Sequence, residues 1–274
     1  MICESEKGSR YSLRRCCGIF AAALAIGELA ARALARGIAA ATPSPLMSAV
    51  ISAAVNAAVI AAAFCAFHIR PDIRPMLRLV PADDAATLAA AYFALLAPVT
   101  VLNLFITPLA GSADVSLTSQ YLLRVLIITP LLETLVYMLL PLGALGRQNS
   151  FSAVLFCAVC FALCHDSASM PSALVLGTVL CAACRASAPL CLALHILHNL
   201  LCVVWSLCVA HSCGGLFIWA SFIACALSVL FLARRRRELF AKLRFSTDDM
   251  KDMFFTLPFA ALCIVTAARL GGII

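Results

Sequence analysis

Apolar runs, many of them about twenty residues long, follow one another along almost the whole chain, separated by short segments carrying proline, serine or arginine. A run of that length crosses a hydrocarbon layer of roughly 30 Å as an α-helix. Taken in order, the runs predict helical spans over about 16–34, 45–67, 85–109, 121–145, 151–165, 171–184, 189–210, 215–233 and 253–270. The expected fold class is all-α, a polytopic transmembrane helical bundle of eight to nine helices, with one integral membrane domain over 1–274. The lower count applies if the first helix lies in the interface. Glu28 and Arg32 interrupt that helix at i,i+4 spacing, which favours an ion pair near the outer boundary and disfavours a cleaved signal segment. The spans over 151–165 and 171–184 are short for a bilayer, and Pro130 and Pro141 are expected to kink or end the 121–145 helix near Glu133.

Composition supports the same class. With 64% hydrophobic and 12% charged residues the chain is too apolar for a soluble domain of this length. Nearly all of the 15 cysteines lie inside apolar runs, where a thiol packs as a small hydrophobe. The Cys157/Cys160 and Cys181/Cys184 pairs are read in the same way, as packing residues within spans. The net charge of +7 comes mainly from loops. A cytoplasmic N-terminus puts Lys7, Arg10, Arg14, Arg15, Arg70, Arg74, Arg78, Arg147, Arg185 and the 234–251 cluster on the inner face, as the positive-inside rule requires. That charge concerns orientation and anionic lipid, and no nucleic-acid partner is expected.

One carboxylate is out of place in this pattern. Glu133 is the only glutamate between Glu28 and Glu238. It lies about twelve residues into its run, roughly 18 Å from the outer end. A carboxylate at the bilayer centre costs roughly 2.5–3.5 kcal/mol on insertion scales, so Glu133 must be neutral, paired or facing a wet cavity. It is a plausible general base. His165 shares a helix face with Phe161, and His195 shares one with Asn199. His198, Asp166 and His68 lie off that face or near a boundary and are read as structural, and Asn56 and Asn103 are the other main polar side chains in the apolar phase. A lone intramembrane His or Asn ordinarily makes an interhelical hydrogen bond worth about 0.6–2 kcal/mol, and here Glu, His, His and Asn occur together on three helices.

The segment Pro130-Leu131-Leu132-Glu133-Thr134-Leu135-Val136-Tyr137-Met138 resembles the Pro-x-x-Glu-Glu-x-x-Phe-Arg motif of the CPBP intramembrane proteases. That family includes the CAAX prenyl endopeptidases and bacterial, Abi-like relatives linked to bacteriocin self-immunity. Phe161 to His165 and His195 to Asn199 are similar to its Phe-x-x-x-His and His-x-x-x-Asn motifs, giving a family-like core over 121–212. The resemblance implies an intramembrane endopeptidase in which Glu133 activates water, His165 positions or polarises it, and His195 and Asn199 stabilise the oxyanion. It implies a peptide or protein substrate, lipidated or not, and membrane lipid as a partner. The residues suit a metal-free mechanism and equally a divalent metal such as zinc, whose ligands would be His165, His195 and Glu133. Two positions depart from the motif, Thr134 in place of its second Glu and Met138 in place of its Arg. Depth is a further tension, because His195 and His165 differ by roughly 12 Å when counted from the inner ends of their spans. The alternatives are a non-catalytic membrane scaffold or immunity-type binding protein on the same fold, and a proton-coupled transporter using Glu133 and the histidines as a relay.

Overall fold

The computed structural model describes residues 2–39, 45–110, 118–145, 151–237 and 247–273, all of whose regular structure is helical. Arg147 and the side chain of Asn103 lie outside the described residues. In chain order the helices are α1 (Ile2–Ala39), α2 (Pro45–Ala66), α3 (Ala82–Ala110), α4 (Ser119–Leu145), α5 (Phe151–Leu163), α6 (Met170–Ala186), α7 (Ala188–Ala210), α8 (Gly214–Arg234), α9 (Thr247–Phe254) and α10 (Leu257–Leu270). Five stretches are long and apolar enough to cross a membrane, within α1, α3, α4, α7 and α8, and the pair α9 and α10 makes a sixth if its 62° bend is one broken span. The described apolar part of α2, Val50–Ala66, and the hairpin of α5 and α6 are shorter apolar stretches. The bundle is therefore of the expected membrane type, with five to six full-length candidate spans among the described residues.

Proline and small residues set the breaks. Pro45, Pro171, Pro189 and Pro258 stand in the first turn of their helices, where the missing N–H costs nothing. The α6–α7 link is the single residue Ser187, whose hydroxyl caps α7 by accepting from Leu190 N–H at 3.3 Å. So tight a link forces α6 and α7 to diverge at once.

The core lies where α1, α2, α4, α5, α6 and α10 meet. Phe20, Leu24, Ile60, Val136, Met138, Phe156, Leu180 and Leu262 are all at most 2% exposed there. The cysteines of both C-x-x-C pairs are free and fully buried in the same core. Outside it, α3 pairs with α8, whose Leu216, Trp219, Ile223, Leu227 and Leu230 form an exposed stripe at helical spacing. In a bilayer that stripe faces lipid.

Candidate active site

The helix α4 is not a regular α-helix. Two π-helical segments, Arg124–Ile128 and Thr134–Leu139, alternate with α-helical turns at Ser119–Leu123, Thr129–Glu133 and Leu140–Leu145. Each π segment precedes a proline, and the sequence supplies the reason. A proline ring crowds the carbonyl four residues back and lacks the N–H that would bond it, so the preceding turn widens. Thr129 N–H accordingly donates to Arg124 O, and Leu140 N–H to Leu135 O, each five residues back. In that register the next donor after Thr129 would be residue 130, which is proline. The Val125 carbonyl lacks that donor, and Asn199 Nδ2 donates to it at 2.7 Å. Asn199 thus fills the gap that Pro130 leaves.

Glu133 closes the α-helical turn between the two π segments. Its Oε2 lies 3.3 Å from His195 Nε2, the His195 side chain being 3% exposed and that of Glu133 23%. The other ring nitrogen, Nδ1, lies 3.2 Å from Thr134 Oγ1. With the carboxylate ionised, Nε2 carries the proton and donates to Glu133, and Nδ1 accepts from the Thr134 hydroxyl. Thr134 was legible in the sequence only as a departure from the family motif. Here its hydroxyl partners the ring nitrogen that Glu133 does not. Met138, the other departure, is fully buried with its sulfur 3.5 Å from Cys191 Sγ.

His165 follows α5 in a tightened turn, its N–H donating to Ala162 O at 2.9 Å. Its Nδ1 is 2.8 Å from Phe161 O. A carbonyl only accepts, so Nδ1 carries the proton and Nε2 keeps a free lone pair in the neutral ring. The Phe161 ring stands between the two histidines, 4.4 Å from His165 and 6.0 Å from His195 between ring centroids. Gly177 of α6 allows this placement, since a Cβ there would meet Phe161 Cδ1 at 2.8 Å. The helix α5 is 13 residues long, about 20 Å, and His165 stands just past its end.

Three of the four candidate residues therefore gather around Phe161 and Glu133, and Asn199 sits one turn beyond His195 on α7. His198, read as structural, is engaged with α3, its Nδ1 3.2 Å from the hydroxyl of buried Tyr92. The candidate metal ligands do not fit a metal in this arrangement. Among the described residues no group of three His, Cys, Asp or Glu is placed to hold an ion, and both nitrogens of His195 are engaged.

A polar cluster that the sequence reading did not assemble lies on the other side of Tyr137. Asn56 Nδ2 lies 3.3 Å from Glu28 Oε1 and 3.4 Å from Tyr137 Oη, and Arg269 Nη1 lies 3.6 Å from Glu28 Oε2. The available signal was cost: Glu28 and Arg269 are ionised groups in separate apolar runs, and each is expensive there without the other.

Residues 116–201 match the family described as Type II CAAX prenyl endopeptidase Rce1-like. The matched stretch, about a third of the chain, contains Glu133, His165, His195 and Asn199. No curated protein and no solved structure matches the chain.

Proposed function

We propose, on the match of residues 116–201 to the Rce1-like CAAX endopeptidase family, that the chain is a glutamate-dependent endopeptidase that hydrolyses a peptide bond in or beside the membrane. The observation that carries this reading is the Glu133–His195–Thr134 chain of contacts, 3.3 and 3.2 Å, in an apolar surrounding.

Glu133 takes a proton from a water molecule as the water oxygen attacks the scissile carbonyl, and the free Nε2 of His165 accepts from that water and holds it. Negative charge then leaves the carboxylate and develops on the carbonyl oxygen. The Nε2–H of His195, bonded to Glu133 at rest, follows the charge to the oxyanion, its ring kept in register by Thr134. The second N–H of the Asn199 amide, the one not given to Val125, is the further oxyanion donor. Glu133 returns its proton to the leaving amine, and the C–N bond breaks. The new carboxyl gives the second water proton to the amine, so the products are a carboxylate and an ammonium group, and the site is regenerated. The partial exposure of Glu133 leaves a way in for the substrate.

The family description makes a prenylated peptide the first substrate to test. In nanodiscs, an internally quenched peptide with a farnesylated cysteine near its C-terminus is expected to be cut by the wild type and left intact by Glu133→Gln at equal protein level and melting temperature. Full activity in Glu133→Gln overturns the assignment. The same peptide without the farnesyl group reports whether the lipid is required. A non-catalytic binding role is the second reading, favoured by the commitment of Asn199 to a backbone carbonyl and by Thr134 and Met138 in place of the motif's Glu and Arg. Cleavage by the purified wild type discards it.

A further inference from the structure

The last carbonyls of a helix have no intrahelical donor, and in an apolar environment they need one. No glycine cap follows α5. Its end is instead capped by a side chain from the far end of the chain: Arg269 Nη1 donates to Cys164 O at 2.8 Å, and Nη2 donates to Leu163 O at 2.7 Å and to His165 O. Thr266 Oγ1, one helical turn earlier on α10, adds a bond to Leu163 O at 3.2 Å. The guanidinium fork is the one cationic group whose planar donors can serve several carbonyls together, and its charge also opposes the negative end of the helix dipole.

Arg269 is only 7% exposed and would be an uncompensated charge without Glu28, 3.6 Å away on α1 and itself 13% exposed. Arg32 approaches the same carboxylate at 4.0 Å, and Asn56 fixes its other oxygen at 3.3 Å. The cluster then reaches the candidate site through Tyr137, whose ring centroid is 6.0 Å from that of Phe161. Glu28 and Arg269 both lie outside the 116–201 stretch. Within that stretch the positions where the motif has its Glu and Arg hold Thr134 and Met138, which are engaged with His195 and Cys191.

We propose that Glu28 and Arg269 are the positioning ion pair of the site: Glu28 holds the Arg269 guanidinium, Arg269 fixes the Leu163–His165 turn, and the turn sets the direction of the His165 ring. The helices α1 and α10 thereby supply an acidic and a basic side chain where the motif positions of α4 hold Thr134 and Met138. The inference rests on the protease reading for its kinetic test and is independent of it for its spectroscopic one.

Arg269→Lys keeps the charge opposite Glu28 but loses the fork. In nanodiscs, with the farnesylated quenched peptide, its kcat per folded molecule is expected to fall at least tenfold with KM within about twofold of wild type. Glu28→Gln keeps the oxygen that Asn56 bonds but leaves Arg269 unneutralised, and the same kcat loss is expected; it serves as the test if Arg269→Lys does not fold. Independently, 15N-histidine spectra, with the His165 signal identified by its loss in His165→Ala, are expected to show an Nδ1-protonated ring in the wild type and a shifted or averaged one in either variant. An unchanged His165 signal in a folded variant overturns the proposal whether or not the protein cuts a peptide. Wild-type kcat per folded molecule in Arg269→Lys overturns it too. Absence of cleavage by the wild type counts against the protease reading alone, and the His165 signal then decides this one.

Discussion

Thr134 shows how one side chain changes meaning between sequence and structure. As a letter it is a missing glutamate. As a buried hydroxyl 3.2 Å from His195 Nδ1 it donates to the nitrogen that is left unprotonated when Nε2–H bonds the ionised Glu133. Valine has the same shape without the hydroxyl, so Thr134→Val leaves a buried ring nitrogen without a donor, at a cost of about 1–3 kcal/mol shared between stability and orientation. We expect kcat to fall about tenfold, the equivalent of about 1.4 kcal/mol in the transition state, with KM unchanged and with recovery in Thr134→Ser. Steady-state kinetics on the quenched peptide decide it; an unaltered kcat in Thr134→Val removes Thr134 from the mechanism.

At the scale of the element, α4 owes its form to its prolines. The widened turn before Pro130 exposes the Val125 carbonyl, and the Asn199 bond to it gives that residue a stabilising role distinct from its proposed one toward the oxyanion. A double-mutant cycle separates them. Asn199→Ala in the native background should lower stability by about 1–3 kcal/mol, because it orphans a buried carbonyl. In a Pro130→Ala background the helix can close in α register and satisfy Val125 itself, so the same substitution should cost little. Melting curves of the four proteins give the coupling. Additive costs would mean that the π turn survives without Pro130. The sequence showed that Pro130 and Pro141 would disturb the helix near Glu133; the form of the disturbance depended on which neighbour could donate to the freed carbonyl, and that neighbour is on another helix.

For the whole molecule, two further polar contacts between distant segments join helices at their ends. Arg235 pairs with Asp83 at 3.1 Å, bringing the end of α8 beside the start of α3, and Asp72 N–H donates to Gly143 O at 3.0 Å, tying the loop after α2 to the end of α4. The basic loop around Arg70, Arg74 and Arg78 leads into the same helix α3 that Arg235 meets. Charge placement leads us to expect these segments and the N-terminus in the cytoplasm. An epitope at the N-terminus should then be hidden from antibody in intact cells, and one inserted after Ser212, in the α7–α8 turn, should be accessible. The reverse result inverts the assignment.

The sequence by itself determined the class of the fold and the identity of the polar residues at its centre. Apolar runs of spanning length have few other stable arrangements, and Glu133, His165, His195 and Asn199 are conspicuous because ionisable and amide groups are costly in lipid. Tertiary structure decided what those groups do to one another. Which tautomer His195 holds and where the Asn199 amide donates depend on contacts between helices far apart in the chain, and so does the placement of Glu133. Its carboxylate is held not by the motif around it but by His195, itself steadied by Thr134, while its partner His165 is set by Glu28 and Arg269 in our reading.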